Sequence, residues 1–171
     1  MEALADLAAV AAALAAAARD RAGKLMKPQE FLDRLDHQRI SGAIAAAERT
    51  TSGEIRVFVE RGDVADDPLL FAEQKFLALG MQKTAERNAI LIFVAPHAQK
   101  FAVVGDEGVH KKCGAEFWQQ LVDSMRAHFQ REEFTDALVE AIESAGELLA
   151  RYFPRRHDDR NELSDQVIEG K

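Results

Sequence analysis

Cysteine is nearly absent. Cys113 is the single one in 171 residues, which excludes an intramolecular disulfide and a cysteine-built zinc cage and fits a reducing compartment. The cytoplasm is the expected location. Positive charge is also scarce: Lys and Arg total 22 against 29 Asp and Glu, for a net charge of −7. No basic stripe offsets that balance locally, so nucleic acid is not an expected partner. Long apolar runs are missing as well. The Ala-rich stretch 1–18 carries Glu2 and Asp6 where a signal peptide would be basic, and Arg19, Asp20 and Arg21 close it. The uncharged run left between them is too short to cross a bilayer, so membrane insertion is not expected.

Most catalytic templates are absent too. There is no Gly-x-x-x-x-Gly-Lys phosphate loop, no Gly-x-Gly-x-x-Gly after a strand and no Gly-x-Ser-x-Gly elbow, so no nucleotide or organic cofactor is expected. The five histidines (His37, His97, His110, His128 and His157) form no His-Glu-x-x-His pair. A cysteine phosphatase needs an arginine six residues after its thiolate, but Gln119 stands there after Cys113. His110-Lys-Lys-Cys113 offers two ligands where a metal needs more, and reads as a surface loop with a partly buried thiol.

What the chain does contain is a strong alternation of helical and strand patterns. Ile90 to Ala95 and Phe101 to Val104 are continuously apolar, as strands covered on both faces are. Only Pro96 to Lys100 separate them, too few residues for a crossover, so they form an antiparallel hairpin. Pro28 to Glu48 has apolar residues at helical spacing with a break near Asp36, and Thr50-Thr51-Ser52-Gly53 turns into a strand from Glu54 to Glu60. Asp67-Pro68 starts a helix that runs to about Leu79 and stops at Gly80. Joined through that helix, the Glu54 strand and the Ile90 strand are expected to be parallel.

Two more helices follow. The first covers Gly114 to Gln130 and the second starts with Thr135 as N-cap and ends at Pro154. The expected fold is α/β, a three-layer α/β/α sandwich whose small mixed sheet has the hairpin at its centre. Residues 1–25 read as an Ala-rich extension, helical or mobile, with Met26 an alternative start. Residues 26–154 form the domain, and 155–171 a charged tail, mobile or loosely docked, with Leu163, Val167 and Ile168 as its apolar anchors.

Strand directions in this topology bring Thr51, Glu54, Arg87, Asn88, Asp106 and Glu107 to one edge of the sheet. Glu54, Asn88, Asp106 and Glu107 are hard oxygen donors of the kind Ca²⁺ or Mg²⁺ prefers, and make a candidate metal site. The competing reading is a solvated edge with Glu54 paired to Arg87 or Arg56. The opposite edge, at the carboxyl ends of the parallel strands, collects Glu60, Asp63, Asp66, Asp67 and His97 as a second candidate location.

The order and spacing of several segments resemble the TPM domain family, the thylakoid acid phosphatase-like domain. These segments are Leu35-Asp36-His37-Gln38-Arg39-Ile40, Thr51 to Val57, Phe76 to Gly80, Arg87 to Val94 and Val103 to Gly108, followed by two helices; together they span about residues 30 to 153. The resemblance implies a mixed sheet between helical layers, divalent-cation binding in some members, and a phosphatase label. The family pattern has Asp-Asn-Gly before the hairpin and Gly-Tyr-Gly after it, where this chain has Arg87-Asn88-Ala89 and Gly105-Asp106-Glu107-Gly108. Members often carry a signal peptide and a membrane anchor, and neither pattern is read here. Three functional readings follow: a binding or accessory module, with or without a Ca²⁺ or Mg²⁺ site; a weak acid phosphatase using Asp106 and Arg87; or a scaffold for an unidentified protein partner.

Overall fold

The computed structural model describes the backbone of residues 8–13 and residues 26–64, 67–159 and 164–170 in full. The order is β1 (Ala8–Ala13), α1 (Pro28–Asp33), α2 (His37–Glu48), β2 (Glu54–Val59), α3 (Pro68–Ala78), β3 (Ala89–Ala95), β4 (Lys100–Gly105), α4 (Glu107–His110), α5 (Ala115–Gln130), α6 (Phe134–Tyr152) and β5 (Ile168–Glu169). A 3₁₀ turn at Met81–Lys83 follows α3.

The five strands form one mixed sheet in the order β1-β4-β3-β2-β5. β2 and β3 run parallel with Ile55 opposite Ile90, and β3 and β4 form the antiparallel hairpin with Ile92 opposite Val103. The hairpin strand β3 is central, as its unbroken apolar run requires. Ile90, Ile92 and Val94 enter the larger core beneath α2, α5 and α6, while Leu91, Phe93 and Ala95 enter the smaller one beneath α3. Period-two alternation thus places every residue of β3 in one core or the other.

Local signals explain the helix boundaries. Asp36 breaks the first amphipathic run by accepting a hydrogen bond from the Arg39 N–H at 2.9 Å, which caps α2. Asp67 caps α3 by accepting from Leu69 N at 2.9 Å, with Pro68 at the first helical position. Gly80, at φ +70°, ends it.

Three local expectations need correction. Ala8–Ala13 forms a strand antiparallel to β4, with Ala8 opposite Gly105, rather than a helix. The edge of β4 supplies the backbone partners. The rest of the extension lies outside the described residues. Thr135 does not cap α6, because its hydroxyl accepts from Asp36 N at 3.0 Å; the helix already begins at Phe134, buried against Phe31 and Phe129.

After Gly105 the chain forms the short helix α4 rather than a loop, because Asp106 caps it. The tail is seated as β5, pairing Ile168 with Phe58. Val167 and Ile168 are its anchors, and Leu163 lies outside the described residues. Among the described residues, no helix is long and apolar enough to cross a membrane.

Candidate functional site

The turns entering β2 and β3 and the end of β4 meet at one edge, as strand direction predicts. Thr51 holds the first turn to the end of α6: its hydroxyl donates to the Phe153 carbonyl at 2.5 Å and accepts from Gly53 N at 3.0 Å. Arg87 enters β3 in the left-handed region, at φ +52°. Gly108 must come close to that turn, since a Cβ there would stand 2.4 Å from the Glu86 carbonyl and 2.5 Å from the Arg87 carbonyl. Its N–H donates to the Arg87 carbonyl at 2.8 Å, clamping the two turns together.

Asp106 is completely buried at this junction. The Arg87 guanidinium grips it as a fork, Nε to Oδ2 at 2.9 Å and Nη2 to Oδ1 at 2.8 Å, while Oδ1 also accepts from Glu107 N at 2.8 Å. Glu107 pairs with Lys111 one turn along and lies 3.8 Å from Arg87 Nη1. Lys111, first by hydrogen bond and then by charge, holds its carboxyl below the usual range, with Arg87 adding to the effect. Asn88, also buried, donates from Nδ2 to Ser52 Oγ at 3.0 Å, and the Ser52 hydroxyl donates in turn to Glu86. Its carbonyl accepts from Glu54 N at 3.4 Å, so Asn88 and Glu54 meet through the backbone.

Glu54 is buried at the start of β2, in the field of a neighbour that the sequence reading did not single out. That neighbour is Glu48, 7 % exposed at the end of α2, whose Oε1 accepts from Ile55 N at 2.9 Å. Burial is the main reason its carboxyl is pushed up to about 9, with the charges of Glu54 and Asp165 adding to the shift. Glu48 therefore carries a proton at neutral pH. Arg56 lies among the same acids, its guanidinium lowered by burial against the pull of Glu54, Glu48 and Asp165. A cavity of about 150 Å³ opens here, lined by Ser52, Glu48, Glu54, Arg155, Asp159 and Asp165. The signal for Glu48 was present in the sequence: Ile40, Ile44 and Glu48 share one face of α2 at four-residue spacing.

The four proposed metal ligands thus share an edge, but not as a cage. The Arg87 fork opposes a resident Ca²⁺ or Mg²⁺ here. Both oxygens of Asp106 already accept from a guanidinium, and a divalent ion would sit against that positive charge. Among the described residues, no three His, Cys, Asp or Glu side chains come together as a metal site. Asp106 is equally unsuited as a nucleophile, having no exposed surface. Cys113 is half-buried and its thiol is pushed up, mainly by burial, the opposite of an activated thiolate.

At the opposite edge the charged groups serve the fold. Glu60 accepts from Arg61 N and Gly62 N, each at 3.0 Å, and pairs with Lys75 at 3.2 Å. Asp63 pairs with His97 at 2.6 Å, and Asp67 is the α3 cap. Asp66 lies outside the described residues.

This frame can be compared with known proteins. The profile of the TPM domain matches residues 25–148. The chain belongs to the TPM domain family. Among solved structures, this TPM domain is similar to the BA42 protein from the psychrophilic bacterium Bizionia argentinensis, determined by NMR. The two are 35% identical over 80% of this chain and 96% of that one, with a TM-score of 0.73. The N-terminal domain of the cg2496 protein from Corynebacterium glutamicum, at 14% identity and a TM-score of 0.51 over 77% of this chain and 76% of that one, shares the fold alone. No protein of curated function matches.

Proposed function

We propose that this TPM domain is a binding module that works through its surfaces and has no phosphatase centre of its own. The observation that supports the reading most directly is the state of Asp106. Among the described residues it is the aspartate placed at a strand end where a phosphoryl acceptor would stand, yet it is fully buried, forked by Arg87 and used as a helix cap. The expected result is that purified protein hydrolyses p-nitrophenyl phosphate no faster than Asp106→Asn, with Mg²⁺ or Ca²⁺ present. Turnover that disappears in a folded Asp106→Asn variant would overturn the proposal.

A divalent cation at Glu54, Asn88, Asp106 and Glu107 is the second reading. Oxygen-donor chemistry favours it, and the Arg87 fork opposes it. Calorimetric titration decides between them. The module as proposed gives no heat with Ca²⁺ or Mg²⁺, whereas heat that vanishes in Asp106→Ala would establish the cation.

A further inference from the structure

α5 and α6 pack side by side, and an open furrow of about 590 Å³ runs between them on the surface. Its floor is apolar. Leu121 is buried there, and Phe117 and Leu148 are half-buried against the larger core. Tyr152, one turn beyond Leu148 on α6, is 38 % exposed and extends that apolar row.

The α6 rim of the furrow is acidic. Glu140 and Glu147 stand on it two turns apart, and Arg151 follows at the far end. Glu140 is fixed in place: the Ser124 hydroxyl donates to its Oε1 at 2.5 Å, and the His128 ring lies 2.7 Å from its Oε2. Ser124, ahead of His128, holds the Glu140 carboxyl below the usual range, so it is charged at neutral pH. The same contacts tie α5 to α6, which leaves the furrow formed before anything enters it. The Glu147 carboxylate is exposed and has no partner among the described residues.

The shape of the furrow favours a helix as its occupant. Its walls are helices whose backbone N–H and C=O groups are already paired, so they offer no edge to an extended strand. None of the polar residues lining it is buried, so it lacks the enclosed polar groups that orient a small molecule. From Glu140 to Arg151 it follows α6 for roughly 16 Å, the length over which a short amphipathic helix sets out its apolar anchors. Charge narrows the choice further. α6 carries four acids against one arginine. Among the described residues no helix is net positive, so a second copy of the chain offers no complementary one.

We propose that the furrow between α5 and α6 is the docking site for a basic amphipathic helix of a partner protein. The apolar face of that helix covers Phe117, Leu121 and Leu148, and its Lys or Arg side chains lie beside Glu140 and Glu147. Apolar contact supplies the affinity, while the charges set the register and speed the encounter. The inference rests on the binding-module reading and adds to it a surface and a partner chemistry.

The test uses the full chain, isotope-labelled for NMR. The probe is a synthetic peptide of about four helical turns, with leucine at every third or fourth position and lysine elsewhere. Amide shifts are expected along the facing sides of α5 and α6. Leu148→Gln should weaken binding about tenfold and Glu147→Arg about fivefold. Because Glu147 is exposed and unpaired, its variant keeps the test decisive even if Leu148→Gln does not fold. A peptide of the same composition in scrambled order, and one with glutamate for lysine, should both bind at least tenfold more weakly. No binding of the basic helix, undiminished binding to folded variants, equal binding of either control, or shifts centred on another face would each overturn the proposal. So would a wild-type dimer that Glu147→Arg separates, because the furrow would then belong to a second copy. Failure here leaves the phosphatase assay, and with it the binding-module reading, untouched.

Discussion

Asp106 and Glu48 are both carboxylic acids withdrawn from water at the same end of the sheet, and the protein settles their charge in opposite ways. Asp106 meets a guanidinium fork from Arg87, a neighbour in space nineteen residues away in the chain. Glu48 lies beside Glu54 and Asp165 and keeps its proton, with its shift to about 9 caused first by burial. A buried acid therefore has two routes to stability, a partner or a proton, and the choice depends on which side chains the fold brings beside it. Neither route leaves Asp106 or Glu48 as a free carboxylate facing solvent.

The largest test of the contrast removes the partner. Arg87→Ala leaves Asp106 buried without its cation and is expected to cost about 3–5 kcal/mol in urea unfolding. A loss under about 1 kcal/mol would mean that the fork is ornamental.

The second test removes the proton. Because the folded pKa of Glu48 lies above its unfolded value of 4.5, the folded state binds more protons between those two values, and stability falls as pH rises through that window. Between about pH 5 and pH 9 the wild type should lose stability, at up to about 1.4 kcal/mol per pH unit, that Glu48→Gln retains. A Gln variant with the same pH slope would show that Glu48 is not the group responsible.

Neutralising the buried member of the pair is predicted to be milder than removing its partly exposed partner. Asp106→Asn keeps an oxygen for the α4 cap and frees a guanidinium that can reach water, so about 1–2 kcal/mol is expected from the same unfolding curves. The smallest effect belongs to a surface counterpart, His128. Its ring lies between Glu133 and Glu140 at 2.7 Å from each. Burial works against its charge, but the two glutamates outweigh that and raise its pKa. Its contribution is complete below the unfolded pKa and disappears as pH rises through the raised folded value. His128→Gln should cost about 0.5–1 kcal/mol at pH 6 and little at pH 9; a cost independent of pH would assign the effect to packing.

Much of the fold was legible because its signals are local. The unbroken run Ile90 to Ala95 announced a doubly covered strand, the five-residue link to Phe101 forced the hairpin, and Asp36, Asp67 and Gly80 marked helix ends by their own backbone chemistry. The shared edge of Glu54, Asn88, Asp106 and Glu107 was also legible, since strand direction follows from connection length. Their roles were not. Arg87 was recognised as a neighbour, but whether its fork closed on Asp106 or Glu54 depended on the left-handed turn at Arg87 and the close approach of Gly108. Glu48 sat in plain view on the apolar face with Ile40 and Ile44, a polar residue at a core position, which is the pattern to look for.

By itself the sequence determined the main helices, the strands β2, β3 and β4, their order, the parallel β2–β3 and antiparallel β3–β4 pairings and the family resemblance, because periodicity, capping and loop length act within a few residues of one another. Only the tertiary structure decided how the acids are neutralised, that Ala8–Ala13 pairs with β4, and that the tail returns to the edge of β2. Those outcomes depend on groups far apart in the chain competing for the same backbone edges and the same buried charges, and the winner is set by burial and geometry that no local pattern encodes.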